Sequence, residues 1–480
     1  MNRTISSYKL PPGPNRNSDE ADFIINEKLI YKKIVQKYIP KYGPICTLYK
    51  DGTPVVFIND IETGYEVFVR KLSKQVSGRS ASYGEKILSG NRNNILNSDY
   101  GPLWKTLQRN LHKGLRHCAN LDRLNEIMYK CFDKFKETVE YRRGSKNGGI
   151  EVGNDLFWMA DNVITMLLFN EIFNDVDYKK YQGAIEVIPQ YAEECDFPND
   201  KPSKKSDFKS VEKLQKVFNQ LIEVLQIRID EHRKKGDYKI ACFDITDFVL
   251  LAVEEYHLDP KSKKLGIKLT DLHVKHSLID VIFASQEGLG NSFVWVFGLL
   301  ALYPNIQENI RTEINKFRDD NNVEVTLHWK SKMPYTNAVL CEIQRYASAD
   351  TFTDFHSTMD DINIGPYEIP KDSLIVLNLY AIHHDKKQWK NPDIIDPQNF
   401  LSEDGRSFKR RKDFVPYGLG LRTCVGNTFS ENVLFVLIML VVDNYKMVWG
   451  KNKSQEIIDD KNAVFIRDVE PFNIQFIRLK

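Results

Sequence analysis

Cys424 stands in the run PYGLGLRTCVGN, Pro416 to Asn427, with glycines and an arginine around it and the apolar segment Val433 to Val442 directly behind. A thiol at the mouth of a helix gains from unpaired N–H groups and the positive dipole end. That lowers its pKa and makes the thiolate available as a soft metal ligand. Gly418, Gly420 and Gly426 let a large flat ligand approach the chain, and Arg422 is suited to pair with a carboxylate on that ligand. A soft axial thiolate beside such a cleft points to haem. A second anomaly lies upstream: Ser285, Gln286, Glu287, Gly288 and Gly290 interrupt the apolar residues Ile279, Val281, Ile282, Phe283, Phe293 and Trp295. A carboxylate and two helix-weakening glycines in an apolar helix break the local rules, as functional sites do.

The elements that must carry these residues are mostly helical. Thr270 reads as an N-cap and Pro304 as a stop, so the helix holding Glu287 runs for roughly 50 Å at 1.5 Å per residue. Pro334 opens another helix that sets Glu342 and Arg345 on one face. Helical patterns also cover Leu103 to Val139, Asn154 to Phe173 and Ser210 to Lys235, with a Pro/Lys/Ser-rich loop from Asn199 to Asp207. Short β-like runs, ICTLY and PVVFI, flank the turn Asp51-Gly52-Thr53-Pro54. Ser373 to Leu379 reads as another strand and Ala463 to Ile477 as a last hairpin. The fold class is mainly α with small β-sheets.

Composition narrows the function. The 480 residues carry a net charge of +2 with 42% hydrophobic and 11% aromatic residues, enough for a large core and too little charge for a nucleic-acid binder. Seven cysteines without a CxxC pair suit a reducing compartment and no disulfides. No linker, repeat or low-complexity tract divides the chain. It reads as a polar segment and proline-rich hinge at 1–14 and a single domain at 15–480. The amino terminus has no apolar run long enough for a signal peptide or an anchor.

The cysteine run resembles the haem-binding loop FGxGxRxCxG of the cytochromes P450, with Tyr417 for the leading Phe. The resemblance covers nearly the whole chain, and its landmarks come in the family's order. Glu342 and Arg345 match the ExxR pair that locks the core near the haem, with Asn399 where a PERF-like stretch has its arginine. Trp104 resembles the tryptophan of the WxxxR motif; Gln108 takes the arginine position and Arg109 follows it. Arg79 and His356 align with further propionate contacts, so the resemblance implies a cofactor site of Arg79, Trp104, Arg109, His356, Gly420, Arg422 and Gly426, with Cys424 as the iron ligand of haem b. The motif AGx(D/E)TT falls on Ala284 to Leu289: Glu287 keeps the acid, while Gly288 replaces the threonine that helps deliver protons to dioxygen.

The resemblance implies a haem-thiolate monooxygenase that inserts one oxygen atom from O2 into a lipophilic small molecule, with catalytic positions Glu287 and Gly288. Its partners would be an NADPH-dependent diflavin reductase and cytochrome b5, steered by the basic run Lys409 to Lys412. The expected setting is a monomer inside the cell, cytosolic or peripheral on the cytosolic face of the endoplasmic reticulum. Two other readings stay open: a haem-thiolate peroxide isomerase or dehydratase that needs no reductase, and a haem-binding protein without catalysis. Ala284, Gly288, Phe352, Phe355 and part of Ser80 to Leu96 read as an apolar lining for the substrate.

Overall fold

The computed structural model describes the chain except residues 1–4, 17, 19, 22–27, 144–148, 197–200, 261–263, 265, 319–322, 452, 453, 455, 462, 464 and 480. Helices predominate, and the longest runs Asp271–Leu302. Thr270 begins it in extended conformation, and the Thr270 N–H donates to His273 Nδ1 at 3.0 Å. Nearly all of its second half is buried, because the helix threads the main core between Gly153–Phe169, Pro334–Ala347 and Asn427–Asn444. Every residue from Val433 to Val442 is buried, as the unbroken apolar run requires. No single helix among the described residues is long and apolar enough to cross a membrane.

The strands are β1 (Ile45–Lys50), β2 (Thr53–Ile58), β3 (Gly78–Arg79), β4 (Ile150–Glu151), β5 (His356–Ser357), β6 (Ile362–Ile364), β7 (Tyr367–Ile369), β8 (Leu374–Leu377), β9 (Tyr445–Trp449) and β10 (Asn473–Arg478). One sheet has the order β1-β2-β8-β5-β3. Its hairpin closes at Lys50 opposite Thr53, and the two loop residues Asp51 and Gly52 have φ of 50° and 76°. Positive φ at both positions is what a tight two-residue hairpin demands. The hinge docks on this sheet, with the Thr47 N–H donating to the Pro12 carbonyl at 3.0 Å.

Several expected boundaries move. The stretch expected as a loop from Asn199 is helical from Lys205, and residues 199 and 200 lie outside the described part. Among the described residues, the expected terminal hairpin does not pair with itself. β10 pairs instead with β9 and β4, because its apolar residues Ile474 and Phe476 face the main core from that position, while Val464 is not described.

Glu342 and Arg345 are both 0% exposed. Arg345 Nε and Nη2 donate to the two Glu342 oxygens at 2.9 and 2.8 Å. The remaining donors reach the carbonyls of His383, Pro392 and Ile394. Asn399 takes the place expected of it, its amide donating to both Glu342 oxygens at 3.2 Å, and the Asp396 N–H adds a bond at 2.9 Å. Removing one member of a buried pair strands the other charge. Glu342→Ala should therefore cost about 3–5 kcal/mol, while Asn399→Ala should cost about 1 kcal/mol, as shifts in the urea midpoint of the folded protein.

Candidate active site

The cysteine loop packs closely on its surroundings through its glycines. Gly420 has φ of 77°, and a Cβ there would lie 1.9 Å from the Phe68 carbonyl oxygen, so no side chain fits. The Cys424 N–H donates to the Tyr417 carbonyl at 3.1 Å, and the helix behind begins only at Asn427 with Gly426 as its cap. The Cys424 side chain is exposed, yet it opens into an enclosed chamber: loss of solvation pushes its thiol up to about 11, against a lowering contribution from the Gly426 N–H. This corrects the expectation of a lowered pKa. The helix dipole starts three residues too late, and the neighbouring charges of Asp350 and Asp354 are negative. A metal bound at this sulfur would supply the positive charge that ionises it.

A cationic rim forms one side of the chamber. Arg79 and His356 face each other as a register pair of β3 and β5. Arg422 donates to the carbonyls of Ser77, Ile95 and Ser98, and its guanidinium lies over the Trp104 ring at 4.6 Å. Arg79 donates to the carbonyls of Leu96 and Phe355 at 3.0 Å each. Burial, and then the neighbouring Arg79, lower Arg422 to about 9. His356 Nδ1–H donates to the Val76 carbonyl, and burial followed by Arg79 drives the imidazole well below its ordinary range. The Trp104 indole N–H is buried and has no hydrogen-bond partner.

The long helix supplies the opposite wall. Ala284 and Glu287 are exposed between buried turns, so this is where the helix faces the chamber. Burial first, then Asp468 and Asp354, raise the Glu287 carboxyl. The two glycines have different causes. A Cβ on Gly290 would come within 2.4 Å of the Phe157 ring, so close packing demands it, whereas a Cβ on Gly288 would meet nothing within 4 Å. Neither nearby hydroxyl replaces the missing one: Ser292 Oγ donates back to the Gly288 carbonyl at 2.6 Å and Ser285 Oγ to the Val281 carbonyl.

Other expected positions fall elsewhere. Arg109 is exposed on the outer face of Pro102–Cys118, one position beyond the half-buried Gln108 that shares the inner face with Trp104. Phe352 is buried behind the wall against Phe57 and Phe465 and does not line the chamber. The basic run is largely neutralised. Arg410 pairs with Glu431, Arg411 with Asp413 while lying over Trp389, and Lys412 with Glu62. The sequence reading missed Asp350 and Asp354, both exposed on the segment between the Glu342 helix and β5 and both acting electrostatically on Cys424. The visible signal was two acids four apart in SADTFTDFHST.

The residues present suit a flat ligand with two carboxylates and a soft-metal centre. Two guanidiniums and an unpartnered indole N–H converge on one edge, a thiol faces the middle, and Gly288 leaves open space opposite.

Comparison with known proteins agrees. Residues 23–476 match the family described as Cytochrome P450. The steroid 17-alpha-hydroxylase/17,20 lyase of Gallus gallus is 24% identical over 450 residues, covering 91% of this chain and 85% of that protein. Cytochrome P450 2C29 of Mus musculus is 26% identical over 457 residues, covering 92% and 88%. A zebra fish cytochrome P450 solved with progesterone superposes with a TM-score of 0.78 at 21% identity, covering 93% of this chain and 98% of that one. A match of this extent to the family, on a fold that sets an accessible cysteine against a cationic rim, makes the chain a member of the cytochrome P450 family, a monooxygenase whose haem b takes a cysteine thiolate as its axial ligand.

Proposed function

We propose that Cys424 supplies that thiolate, that Arg79, Arg422, His356 and Trp104 receive the propionate edge, and that Gly426, beside the sulfur, lets a flat ligand approach the loop, while Gly420 serves the close packing of the loop on Phe68. Arg109 is not part of this set. When bound, the haem supplies the reductive activation of dioxygen and the transfer of one oxygen atom to a C–H bond. The protein's own part is to hold the ligand, exclude bulk water and move protons. Glu287 is the residue for that last task, since its raised carboxyl holds a proton closer to neutral pH than an ordinary glutamate.

The observation that carries this reading is the empty volume at Gly288 beside Glu287. Water ordered there, or a hydroxyl of the substrate, bridges from the Glu287 carboxyl to the centre of the chamber in place of the absent side-chain hydroxyl. The substrate is a lipophilic small molecule, in keeping with the steroid 17-alpha-hydroxylase/17,20 lyase relatives. Electrons come from a redox partner, which we assign to an NADPH-dependent diflavin reductase with cytochrome b5 as a second donor. The neutralised run Lys409 to Lys412 leaves Lys409 as its exposed charge without a described pairing, so steering by this patch is weak. The working unit is a monomeric domain at 15–480, cytosolic or peripheral on the endoplasmic reticulum.

A single observation favours the isomerase alternative: Ser285 and Ser292 both donate back to their own helix, so neither hydroxyl is free for a dioxygen proton relay. The assay that separates the readings is turnover of a lipophilic substrate library under isotopically labelled O2. Labelled product that requires NADPH and reductase is expected, and hydroperoxide rearrangement without either would establish the alternative. Glu287→Gln should lower product formation about 100-fold, and Gly288→Thr should raise product formed per NADPH at the expense of peroxide.

The glycines give an independent stability test. Gly288→Ala should stabilise the folded protein by about 0.5–1 kcal/mol through helix propensity. Gly290→Ala should destabilise it by about 1–3 kcal/mol through the clash with Phe157, and denaturant midpoints of the two variants check both signs.

A further inference from the structure

A group of metal-ligating side chains lies outside the chamber, where the helix Lys205–Lys235 meets the helix Ile245–Leu258. Its members are His232, Asp244 and Asp247, each more than nine-tenths buried. His232 Nε2 stands 2.8 Å from Asp244 Oδ2 and 3.9 Å from Asp247 Oδ1, and one ligand atom from each residue lies within 4.8 Å of the other two. Helix capping explains only half of each carboxylate. Asp244 Oδ1 accepts the Asp247 N–H at 2.9 Å, and Asp247 Oδ2 accepts the Phe243 N–H at 3.0 Å. The other two oxygens are the ones gathered around the imidazole nitrogen.

One proton cannot serve both oxygens. A proton on Nε2 points in a single direction and satisfies Asp244, which leaves Asp247 Oδ1 without a hydrogen bond among the described residues. The charge does not close either, because one imidazolium cannot neutralise two carboxylates in a buried space. The nearby arginines are engaged elsewhere, Arg228 with Asp177 at 2.8 Å and Arg233 with Asp271 at 2.8 Å. Burial, then Asp244, raise the Asp247 carboxyl accordingly. A divalent cation settles both counts, since beside a neutral imidazole its charge equals that of the two carboxylates and it bonds in several directions at once. The imidazole is already oriented for this: a carbonyl can only accept, so His232 Nδ1–H donates to the Arg228 carbonyl at 2.6 Å. That outer bond fixes the tautomer and keeps Nε2 for a metal.

We propose that His232, Asp244 and Asp247 form a zinc site, with Nε2, Asp244 Oδ2 and Asp247 Oδ1 as ligands and water in the fourth position. One imidazole nitrogen and two carboxylate oxygens suit zinc better than the all-oxygen cations. Tetrahedral bonds of about 2.0–2.2 Å set such atoms about 3.3 Å apart, between the 2.8 and 3.9 Å that separate them here. Zinc takes the place of the proton on Nε2, and binding releases that proton. The metal pins the end of Lys205–Lys235 to the start of Ile245–Leu258 across Gly236, whose φ of 73° ends the first helix. The Arg233–Asp271 pair extends this corner to the first residue of the long helix. The site is thus a structural brace and takes no part in the chemistry at Glu287.

The test strips the haem-loaded full chain with a chelator and dialyses it against zinc chloride. One tightly held zinc per chain is expected, and its X-ray absorption should show a shell of nitrogen and oxygen at about 2.0–2.2 Å with no sulfur at about 2.3 Å. Asp247→Asn keeps an oxygen for the Phe243 N–H and removes the charged ligand. Zinc affinity should then fall about 100-fold or more, since losing a ligand costs more than losing an outer partner. Cys242→Ser, at the half-buried thiol two residues before Asp244, should leave zinc binding unchanged. Zinc should raise the thermal midpoint of the unsubstituted protein and leave that of Asp247→Asn where it was. A sulfur-containing shell, or equal uptake by the unsubstituted protein and Asp247→Asn, means an adventitious ion only and overturns the proposal. So does an unsubstituted protein that retains no zinc. Should Asp247→Asn fail to fold, the stoichiometry and the absorption shell of the unsubstituted protein decide the matter alone.

Discussion

The buried Glu342–Arg345 pair is the constraint on which the site depends. Two full charges without solvent exposure must find all their hydrogen bonds inside the protein, or the fold loses several kcal/mol. They find them in the irregular stretch ahead of the cysteine loop, at His383, Pro392, Ile394, Asp396 and Asn399. His383 carries the constraint onward. Its Nδ1–H donates to Ser348 Oγ, which in turn donates to the Arg345 carbonyl, and its Nε2 accepts the Val415 N–H at 3.0 Å. Gln344 donates to the Tyr417 hydroxyl at 2.7 Å. The position of Cys424 is thus inherited from a salt bridge that never touches it.

The opposite wall has its own anchor. Asp280, buried on the long helix and raised to about 7 by burial, accepts from the Asn94 amide at 2.7 Å and the Ile95 N–H at 2.6 Å. That loop presents the Ile95, Leu96 and Ser98 carbonyls that hold Arg422 and Arg79. One acid therefore fixes the height of the cationic rim relative to Gly288 and Glu287. The chamber is suspended between two buried polar networks.

Residues whose role is local were legible in the sequence. The Asp51-Gly52 turn, the Thr270 cap, the apolar helix behind Cys424 and the Glu342–Arg345 spacing each announce themselves within a few positions, and the structure places them as read. Properties that depend on distant chain were not. The Cys424 thiol is raised because two acids from another segment and the surrounding walls outweigh a helix that begins too late. Gly288 and Gly290 look alike in the sequence, and only the position of Phe157 separates them. Arg109 illustrates a shift of one residue: about 100° of helix turn carries it from the inner face to solvent. Asp350 and Asp354 were passed over for the phenylalanines between and beside them, because alternation cannot tell which side of an irregular segment faces a cavity.

The claim at the centre is that Cys424 holds the iron as a thiolate. The most direct measurement is the absorption spectrum of the reduced carbon monoxide complex, taken for the unsubstituted protein and for Cys424→His. The red-shifted Soret band of a thiolate-ligated haem is expected in the first and an imidazole-type band in the second. An unshifted band in the unsubstituted protein, or a thiolate-type band that persists in Cys424→His, would contradict it.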